Sequence, residues 1–409
     1  MTAPTPPTRP QLTADILGGP WVARRIPVTE SDAAPGADHA VLVHQRGAVP
    51  APGAAPRHDR AVLYLHGRND YFFQTWLADA LLEAGYEFYA LDLRTCGRAG
   101  AGYWSPHDVR DLRVHDEEIG EALRIIRSEH GHGAVVLNGH STGGLQAVIW
   151  AKDHPGGVEA ITLNSPWLDL NSSALVRSYG SAWVDLISRW DPERIIDNPD
   201  ESRALRAAGL EAAAARAAEL RGPAARAAEL RGPAARSADR RTEGAPAAPP
   251  PADAAPRDRA GDADADPGPI ELDMYARVLH RRWGGPWDWD LTLKPSPSFP
   301  VRAGFMAGIR RLQREVHHGL GIGEPVLLCC STTTVGRGAS IEQARHGDLV
   351  LSVEQMVARA PFLGDDVTVR QIPGGVHDLA LSDAAAREEY LAALTGWLVA
   401  RLGRGPARA

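Results

Sequence analysis

Short apolar runs alternate along the chain with segments whose apolar residues recur at helical spacing. Apolar runs of about four to eight residues bounded by turn residues are typical of buried strands. They occupy 21–28, 40–44, 60–65, 87–91, 134–137, 158–163, 325–330 and 367–372. Helical spacing is found over 76–82, 114–129, 145–149, 301–318, 351–360 and 384–402. This alternation predicts an α/β protein with a mostly parallel central sheet and helices on both faces.

The composition of the chain changes in its middle. Residues 201–270 contain no aromatic side chain and are dominated by Ala, Arg, Pro, Asp and Gly, with a ten-residue repeat at 215–224 and 225–234. Such a segment lacks the apolar area that would offset its ordering entropy. We therefore expect this low-complexity insertion to be largely disordered.

The strand pattern stops before this insertion and resumes well after it, which predicts one core domain interrupted by a cap. We expect a flexible N-terminus over 1–19 and an α/β core formed by 20–167 and 325–405. The cap region then spans 168–324 and carries the 201–270 insertion.

Composition and charge narrow the class of protein. The 409 residues carry a formal net charge of −7 and 44% of them are hydrophobic, which is typical of a globular protein without a nucleic-acid partner. No apolar run reaches the length of a membrane span, and the first residues do not resemble a signal peptide. Three cysteines, two of them adjacent, do not form a disulfide framework. We expect a cytoplasmic protein without integral membrane association, and its oligomeric state stays open.

One motif gives the chain a candidate nucleophile. The apolar run at 134–137 leads into Gly139-His140-Ser141-Thr142-Gly143, and a helical pattern follows at once. This is G-x-S-x-G between a strand and a helix, where a sharp turn exposes a serine hydroxyl above the sheet edge. Serine is barely ionised at neutral pH, so Ser141 needs a neighbouring base.

The base and its orienting acid are sought among residues that follow later strands. His377 lies in a Gly-rich loop directly after the last predicted strand, which makes it the candidate base. In a strand–helix protein with this motif the acid falls between the serine and the histidine in chain order. Asp348 is the preferred candidate, and the alternatives are Asp169, and Asp365 or Asp366, which look like turn residues.

The same sheet edge should supply donors for a developing oxyanion. The backbone amide of Thr142, at the start of a helix, is one candidate. The amide of Arg68, which follows His66-Gly67 at the end of another strand, is the second. No ligand spacing typical of a metal site and no Gly-rich dinucleotide motif is found, so neither a metal nor another cofactor is predicted.

With these residues assembled, the chain resembles the α/β-hydrolase superfamily, and most closely its monoglyceride-lipase, lysophospholipase and serine-aminopeptidase-like branch. The matching motifs are His66-Gly67, Asp92-x-Arg94-x-x-Gly97, Gly139-His-Ser-Thr-Gly143, Asp348-x-Val350 and His377. The resemblance implies the α/β-hydrolase fold with an inserted helical cap, Ser141 as nucleophile, His377 as base, Asp348 as acid, and Arg68 and Thr142 as oxyanion donors. The acid of this family usually follows its strand within a few residues, whereas Asp348 comes later.

The expected activity is hydrolysis of carboxylic esters, lipid-like or with a small acyl group, through an acyl-enzyme intermediate. His66, Gly67, Trp167, Trp287 and Trp289 are candidate substrate-binding residues, although cap tryptophans serve equally well as anchors to the core. Acyl transfer or peptide hydrolysis by the same residues is an alternative, and a non-catalytic binding module of this fold is a weaker one. Chain length and leaving group of the substrate stay open.

Overall fold

The computed structural model describes residues 12–51, 54–100, 107–169, 187–196, 274–336 and 338–403. Within them a nine-stranded sheet has the order β1-β2-β3-β5-β4-β6-β7-β8-β9. The strands are β1 (Leu12–Ala14), β2 (Trp21–Pro27), β3 (His39–Gln45), β4 (Arg60–Leu65), β5 (Tyr86–Asp92), β6 (Ala134–His140), β7 (Ala160–Asn164), β8 (Val326–Ser331) and β9 (Val367–Ile372).

The first three strands run antiparallel to their neighbours, and the other six are parallel. The predicted mostly parallel sheet is thus confirmed. Because β4 lies between β5 and β6, the carboxyl ends of these three strands meet at one edge of the sheet. In sheets of this kind ligands bind beyond the carboxyl ends of the strands.

Helices cover both faces of the sheet. The helices of the described residues are α1 (Thr75–Glu83), α2 (Asp116–Arg124), α3 (Thr142–Asp153), α4 (Met274–Leu279), α5 (Ala303–His318), α6 (Ile341–Ala344), α7 (Val353–Arg359) and α8 (Ala384–Leu402). Of these, α4 and α6 belong to a separate, smaller apolar cluster. The α2 helix continues as a π-helical turn over Ile125–Glu129. Within the described ranges, none of the helices combines the length and apolar character needed to cross a bilayer.

Two apolar clusters form the core, one on each face. In β4, Leu63 and Leu65 face the cluster that contains α2, α3, α5 and α7, whereas Val62 and Tyr64 face the cluster with α1 and α8. Successive side chains of a strand point to opposite faces, and in β4 both sets are buried. This two-sided burial is why the strands are continuous apolar runs in the sequence.

Two boundaries predicted from the sequence need correction. The N-terminus over 1–19 is not flexible throughout, because Leu12–Ala14 pairs with β2 as an antiparallel strand. The α5 helix, predicted as part of the cap region 168–324, packs its apolar face into the core cluster, where Phe305 and Ile309 are buried. The insertion at 201–270 lies outside the described residues.

Candidate active site

Ser141 occupies a strained turn between β6 and α3. Its φ of 54° and ψ of −115° lie in a region that side chains rarely adopt, and such strain clusters at functional sites. The turn requires glycine on both sides. A Cβ at Gly139 would lie 2.4 Å from the carbonyl oxygen of Gly143, and a Cβ at Gly143 would lie 2.3 Å from that of Leu65. The sequence Gly139–Gly143 therefore lets β6, β4 and α3 approach closely enough to lift the serine above the sheet edge.

His377 lies beside this serine, in the loop that follows β9. Its Nε2 atom is 3.0 Å from Ser141 Oγ, and its Nδ1 atom is 2.9 Å from Asp348 Oδ2. Two hydrogen bonds hold this loop in place. The Gly375 amide donates to the Ile372 carbonyl, and the Val376 amide donates to the Ser382 hydroxyl. The imidazole thus joins a hydroxyl and a carboxylate, with a proton on Nδ1 and an acceptor at Nε2.

The Asp348 side chain is fully buried and its second oxygen is also occupied. Oδ1 accepts hydrogen bonds of 2.8 Å from the amides of Val350 and Leu351. Two backbone amides on one oxygen leave the other directed at His377, which fixes the orientation of the carboxylate. The alternative acids are engaged elsewhere: Asp169 pairs with Arg359, and Asp366 with Arg401.

The loop between β4 and α1, His66–Asp70, faces the serine from the other side; we refer to it as the oxyanion loop. His66 is buried, accepts a hydrogen bond from the amide of Leu93, and contacts the Gly67 carbonyl through Nδ1 at 2.7 Å. A Cβ at Gly67 would lie 3.0 Å from Ser141 Cβ, so the loop touches the serine only because this residue is glycine. His66 shapes the loop rather than presenting a free ring nitrogen.

Thr142 and Arg68 line the same small cavity. Thr142 is the first residue of α3, where helix amides have no acceptor within the helix. Within the described residues, a cavity of about 20 Å³ borders both residues, and Gln146 and Phe305 also line it. The buried Gln146 amide has no hydrogen-bond partner among the described atoms. A volume of this size holds one small group such as a water molecule.

The three predicted substrate-binding tryptophans are placed differently from one another. Trp167 follows β7, donates its amide hydrogen bond to the Ser141 carbonyl and packs near Phe305. Trp287 stacks on Trp76 with ring centres 4.3 Å apart, and its indole N–H donates to the Leu381 carbonyl. These contacts anchor Trp287, and with it the segment that follows the insertion, to the core.

Trp289 is buried, and its indole N–H donates to the Lys294 carbonyl. Its ring is part of a cluster that sequence analysis missed, in which the Lys294 ammonium reaches Asp70 at 2.7 Å. The other oxygen of Asp70 lies 3.1 Å from His140 Nδ1. One signal in the sequence points to this position, because Lys294 is one of only two lysines among 44 basic residues.

Comparisons with known proteins concern the fold of the chain. The family model described as "Serine aminopeptidase, S33" matches residues 56–234. No curated protein is similar enough in sequence to match the chain.

Many solved structures share the fold. A thermostable carboxyl esterase from Bacillus coagulans, in complex with glycerol, is 12% identical, with 93% of this chain and 99% of that chain covered and a TM-score of 0.51. A lipase in its open form is 13% identical, with coverage of 93% and 100% and a TM-score of 0.52. A monoacylglycerol lipase from Paleococcus ferrophilus is 16% identical, with coverage of 83% and 94% and a TM-score of 0.48. The sheet topology, together with the likeness to the carboxyl esterase and the open-form lipase, shows that the chain has the α/β-hydrolase fold.

Proposed function

We propose that the protein is a serine hydrolase that cleaves carboxylic esters through an acyl-enzyme intermediate. The observation that carries the proposal is the chain of contacts from Ser141 Oγ to His377 Nε2 at 3.0 Å and from His377 Nδ1 to Asp348 Oδ2 at 2.9 Å. A serine, a histidine and a buried carboxylate in this order are the parts needed for acyl transfer at neutral pH.

In the first half-reaction Ser141 Oγ attacks the ester carbonyl carbon while its proton moves to His377 Nε2. The carbonyl oxygen becomes an oxyanion, and we assign the amides of Arg68 and Thr142 as its donors. The Asp348 carboxylate stabilises the imidazolium without taking its proton. Collapse of the intermediate breaks the bond to the alcohol, which leaves with the proton from His377.

In the second half-reaction a water molecule replaces the alcohol. His377 takes a proton from the water, whose oxygen attacks the acyl carbon, and the second oxyanion meets the same donors. Expulsion of Ser141 Oγ returns the proton to the serine and releases the carboxylic acid. Each step uses only groups of the chain, the ester and water.

Among the residues that the structure describes, the buried carboxylates near His140 favour an ester over a peptide with a free amino terminus. Recognition of a substrate ammonium requires an available carboxylate. Of the two buried carboxylates beside His140, Asp70 already binds Lys294, and Asp378 accepts hydrogen bonds from Gln74 and Asn164. A small-molecule ester, lipid-like or with a short acyl group, makes no such demand.

The three cysteines support a reducing compartment. Cys96, Cys329 and Cys330 are unpaired and buried, and burial raises the pKa of the Cys330 thiol to about 12. Buried thiols of this kind are inert rather than reactive. We include a cytoplasmic location in the proposal on this ground.

The proposal is tested with p-nitrophenyl esters from acetate to decanoate. Wild type should hydrolyse at least part of the series, and Ser141→Ala and His377→Ala should each lower kcat by roughly three or more orders of magnitude. His318→Ala, which removes an exposed histidine at the end of α5, is the matched control and should behave as wild type. Equal activity in wild type and Ser141→Ala contradicts the proposal.

The description of the matching family, serine aminopeptidase, supports a second candidate, peptide hydrolysis by the same residues. Aminoacyl p-nitroanilides assayed beside the esters separate the two functions. A higher kcat/KM for an anilide would replace the first proposal with the second. Partitioning of the acyl group to an added alcohol would identify an acyltransferase, and a folded wild type that turns over no substrate would favour a binding module.

A further inference from the structure

One short segment after the insertion forms hydrogen bonds or an ion pair with Arg68, Asn69 and Asp70 of the oxyanion loop. The segment is 294–300, here called the strap. The Arg68 guanidinium donates to the carbonyls of Phe299 and Pro300 at 2.9 and 2.7 Å. Asn69, which has a positive φ of 54°, donates from its side chain to the Pro295 carbonyl at 2.9 Å. Asp70 binds the Lys294 ammonium at 2.7 Å.

The Lys294 side chain is the charged end of this strap, and its surroundings fit an ammonium closely. It is 5% exposed, and Nζ lies 5.3 to 5.6 Å from the ring centres of Phe73, Tyr275 and Trp289. Aromatic faces at this range attract a cation, and the attraction grows when the cation is desolvated. A compact ammonium suits such a box, whereas a planar guanidinium is wider.

Asp70 connects this charge to His140, the residue before Ser141. Burial opposes its ionisation, but the Lys294 ammonium and the hydrogen bond with His140 outweigh burial and hold the pKa of the carboxyl below its usual value. Its second oxygen lies 3.1 Å from His140 Nδ1. Lys294 therefore keeps Asp70 charged where it is buried against His140, the residue before Ser141, and that charge orients the His140 ring.

His140 packs between the two parts of the candidate active site. Its ring centre is 5.1 Å from that of His377, on one side. On the other side its Nδ1 atom would lie only 3.2 Å from a Cβ at Gly67, so the ring supports the oxyanion loop directly. Rotation or displacement of this ring would move both the base and a donor of the oxyanion hole.

The same neighbourhood contains the one group of metal-ligand side chains found within the described residues. Asp70, His140 and Asp378 each present a ligand atom within 4.8 Å of the others. Lys294 already neutralises Asp70, and both oxygens of Asp378 accept hydrogen bonds from Gln74, Asn164 or the Ala380 amide. One carboxylate of this cluster is thus paired with a lysine of the chain itself.

We infer that Lys294 is a positioning residue for the reaction proposed above: its ammonium holds Asp70 and His140, and through them the oxyanion loop and His377, in register with Ser141. This inference rests on the proposed function. It makes the strap, which follows the insertion, part of the machinery that aligns the site, although none of its residues touches the reacting atoms.

Chemical rescue separates the role of the charge from that of packing. Lys294→Ala keeps Asp70 and the three rings but removes the ammonium, so kcat should fall about 10- to 100-fold with KM changed much less. Methylammonium at tens of millimolar should then restore a substantial part of kcat, at ionic strength matched with sodium chloride. Lys294→Met fills the box with a neutral side chain and should be equally slow but insensitive to methylammonium. Lys152→Ala, which removes the other lysine, should match wild type.

The rate at which a fluorophosphonate labels Ser141, measured by mass spectrometry, separates a failure of the proposed function from a failure of the inference about Lys294. A wild type that takes up no phosphonate overturns the proposed function and the role of Lys294 with it. A wild type and a Lys294→Ala variant that react equally fast overturn the inference alone. A slow Lys294→Ala variant that methylammonium does not accelerate reduces Lys294 to a structural residue, which also overturns it.

Discussion

Asp348 lies beside Thr334, the third residue after β8, and the two backbones form a parallel bridge. The Val335 amide donates to the Asp348 carbonyl, and the Asp348 amide donates to the Thr333 carbonyl, both at 2.8 Å. The residues between Thr334 and Asp348, which include the short α6 helix, form a loop that begins and ends at this bridge. The late position of Asp348 in the sequence therefore does not displace its carboxylate from the end of β8.

The first prediction follows from this placement of Asp348. Asp348→Asn removes the charge that favours the imidazolium and allows the wrong ring tautomer of His377, so kcat should fall about 10³- to 10⁴-fold with little loss of stability. Asp366→Asn, which breaks only an ion pair with Arg401, is the control and should keep wild-type activity. A variant of Asp348 with full ester hydrolysis would exclude it as the acid.

The second prediction concerns the close approach of the oxyanion loop. Gly67→Ala places a methyl group 3.0 Å from Ser141 Cβ and 3.2 Å from His140 Nδ1, so the loop must shift and kcat should fall about 100-fold. Gly120→Ala is the matched control, because its Cβ meets nothing within 4 Å on the exposed side of α2.

Gly120→Ala should keep full activity and raise the free energy of unfolding by roughly 0.5–1 kcal/mol through helix propensity. Steady-state kinetics and urea unfolding measure both variants. Unchanged kcat in Gly67→Ala would show that the loop has room to spare.

A third prediction concerns the buried ion pair behind the Asp92-x-Arg94 element. The Arg94 guanidinium contacts Glu118 at 2.6 Å, and both side chains are almost fully buried. Burial opposes ionisation of Glu118, but the hydrogen bond from His115 and the Arg94 charge lower its pKa to about 2. Arg94→Leu leaves this buried carboxylate without its cationic partner and should lower the free energy of unfolding by about 3–5 kcal/mol.

Arg124→Leu, in an exposed pair with Glu121, is the control for Arg94→Leu and should cost at most about 1 kcal/mol. The double variant Arg94→Leu/Glu118→Leu should recover part of the loss, because no buried carboxylate is left without its arginine; Glu117, the other partner of Arg94, is 41% exposed. Equal stability of Arg94→Leu and Arg124→Leu in urea would contradict this account of the element.

The fourth prediction concerns acid stability. Burial lowers the pKa of His44 to about 4 and that of His130 to about 3, near the Tyr89 hydroxyl. The unfolded chain binds protons at these rings below a pKa of about 6.5, whereas the folded protein does not. Their contribution to stability is thus complete above that pH and is lost as pH falls through about 6 to 4.

Other buried histidines add to the same trend, since burial also lowers the pKa of His58, His66, His107 and His132. His140 has the opposite sign: burial disfavours its cation, but Asp378 and Asp70 raise its pKa. Urea unfolding at a series of pH values should show proton uptake between pH 6.5 and 4.5, reduced by about one proton in His44→Leu. A free energy of unfolding that is flat across this range would contradict the prediction.

Local sequence was sufficient to predict most of the framework. The strands are apolar runs because both faces of the sheet are buried. The sequence nominates Ser141, Asp348 and His377 as candidates because each follows a strand or a loop that ends at one sheet edge. Two features depend on contacts that no local pattern encodes. The apolar face of α5 fits the cap and the core equally well in sequence, and Lys294 meets Asp70 only after the chain has returned to the oxyanion loop.

The most direct test of the central claim is the covalent state of Ser141 during turnover. Wild-type protein mixed with p-nitrophenyl acetate and quenched in acid should carry one acetyl group, and peptide mapping should locate it on the peptide that contains Ser141. Ser141→Ala treated in the same way should carry none. Ester turnover by wild type without an acetyl group on this serine, or an acetyl group that persists in Ser141→Ala, would contradict the account.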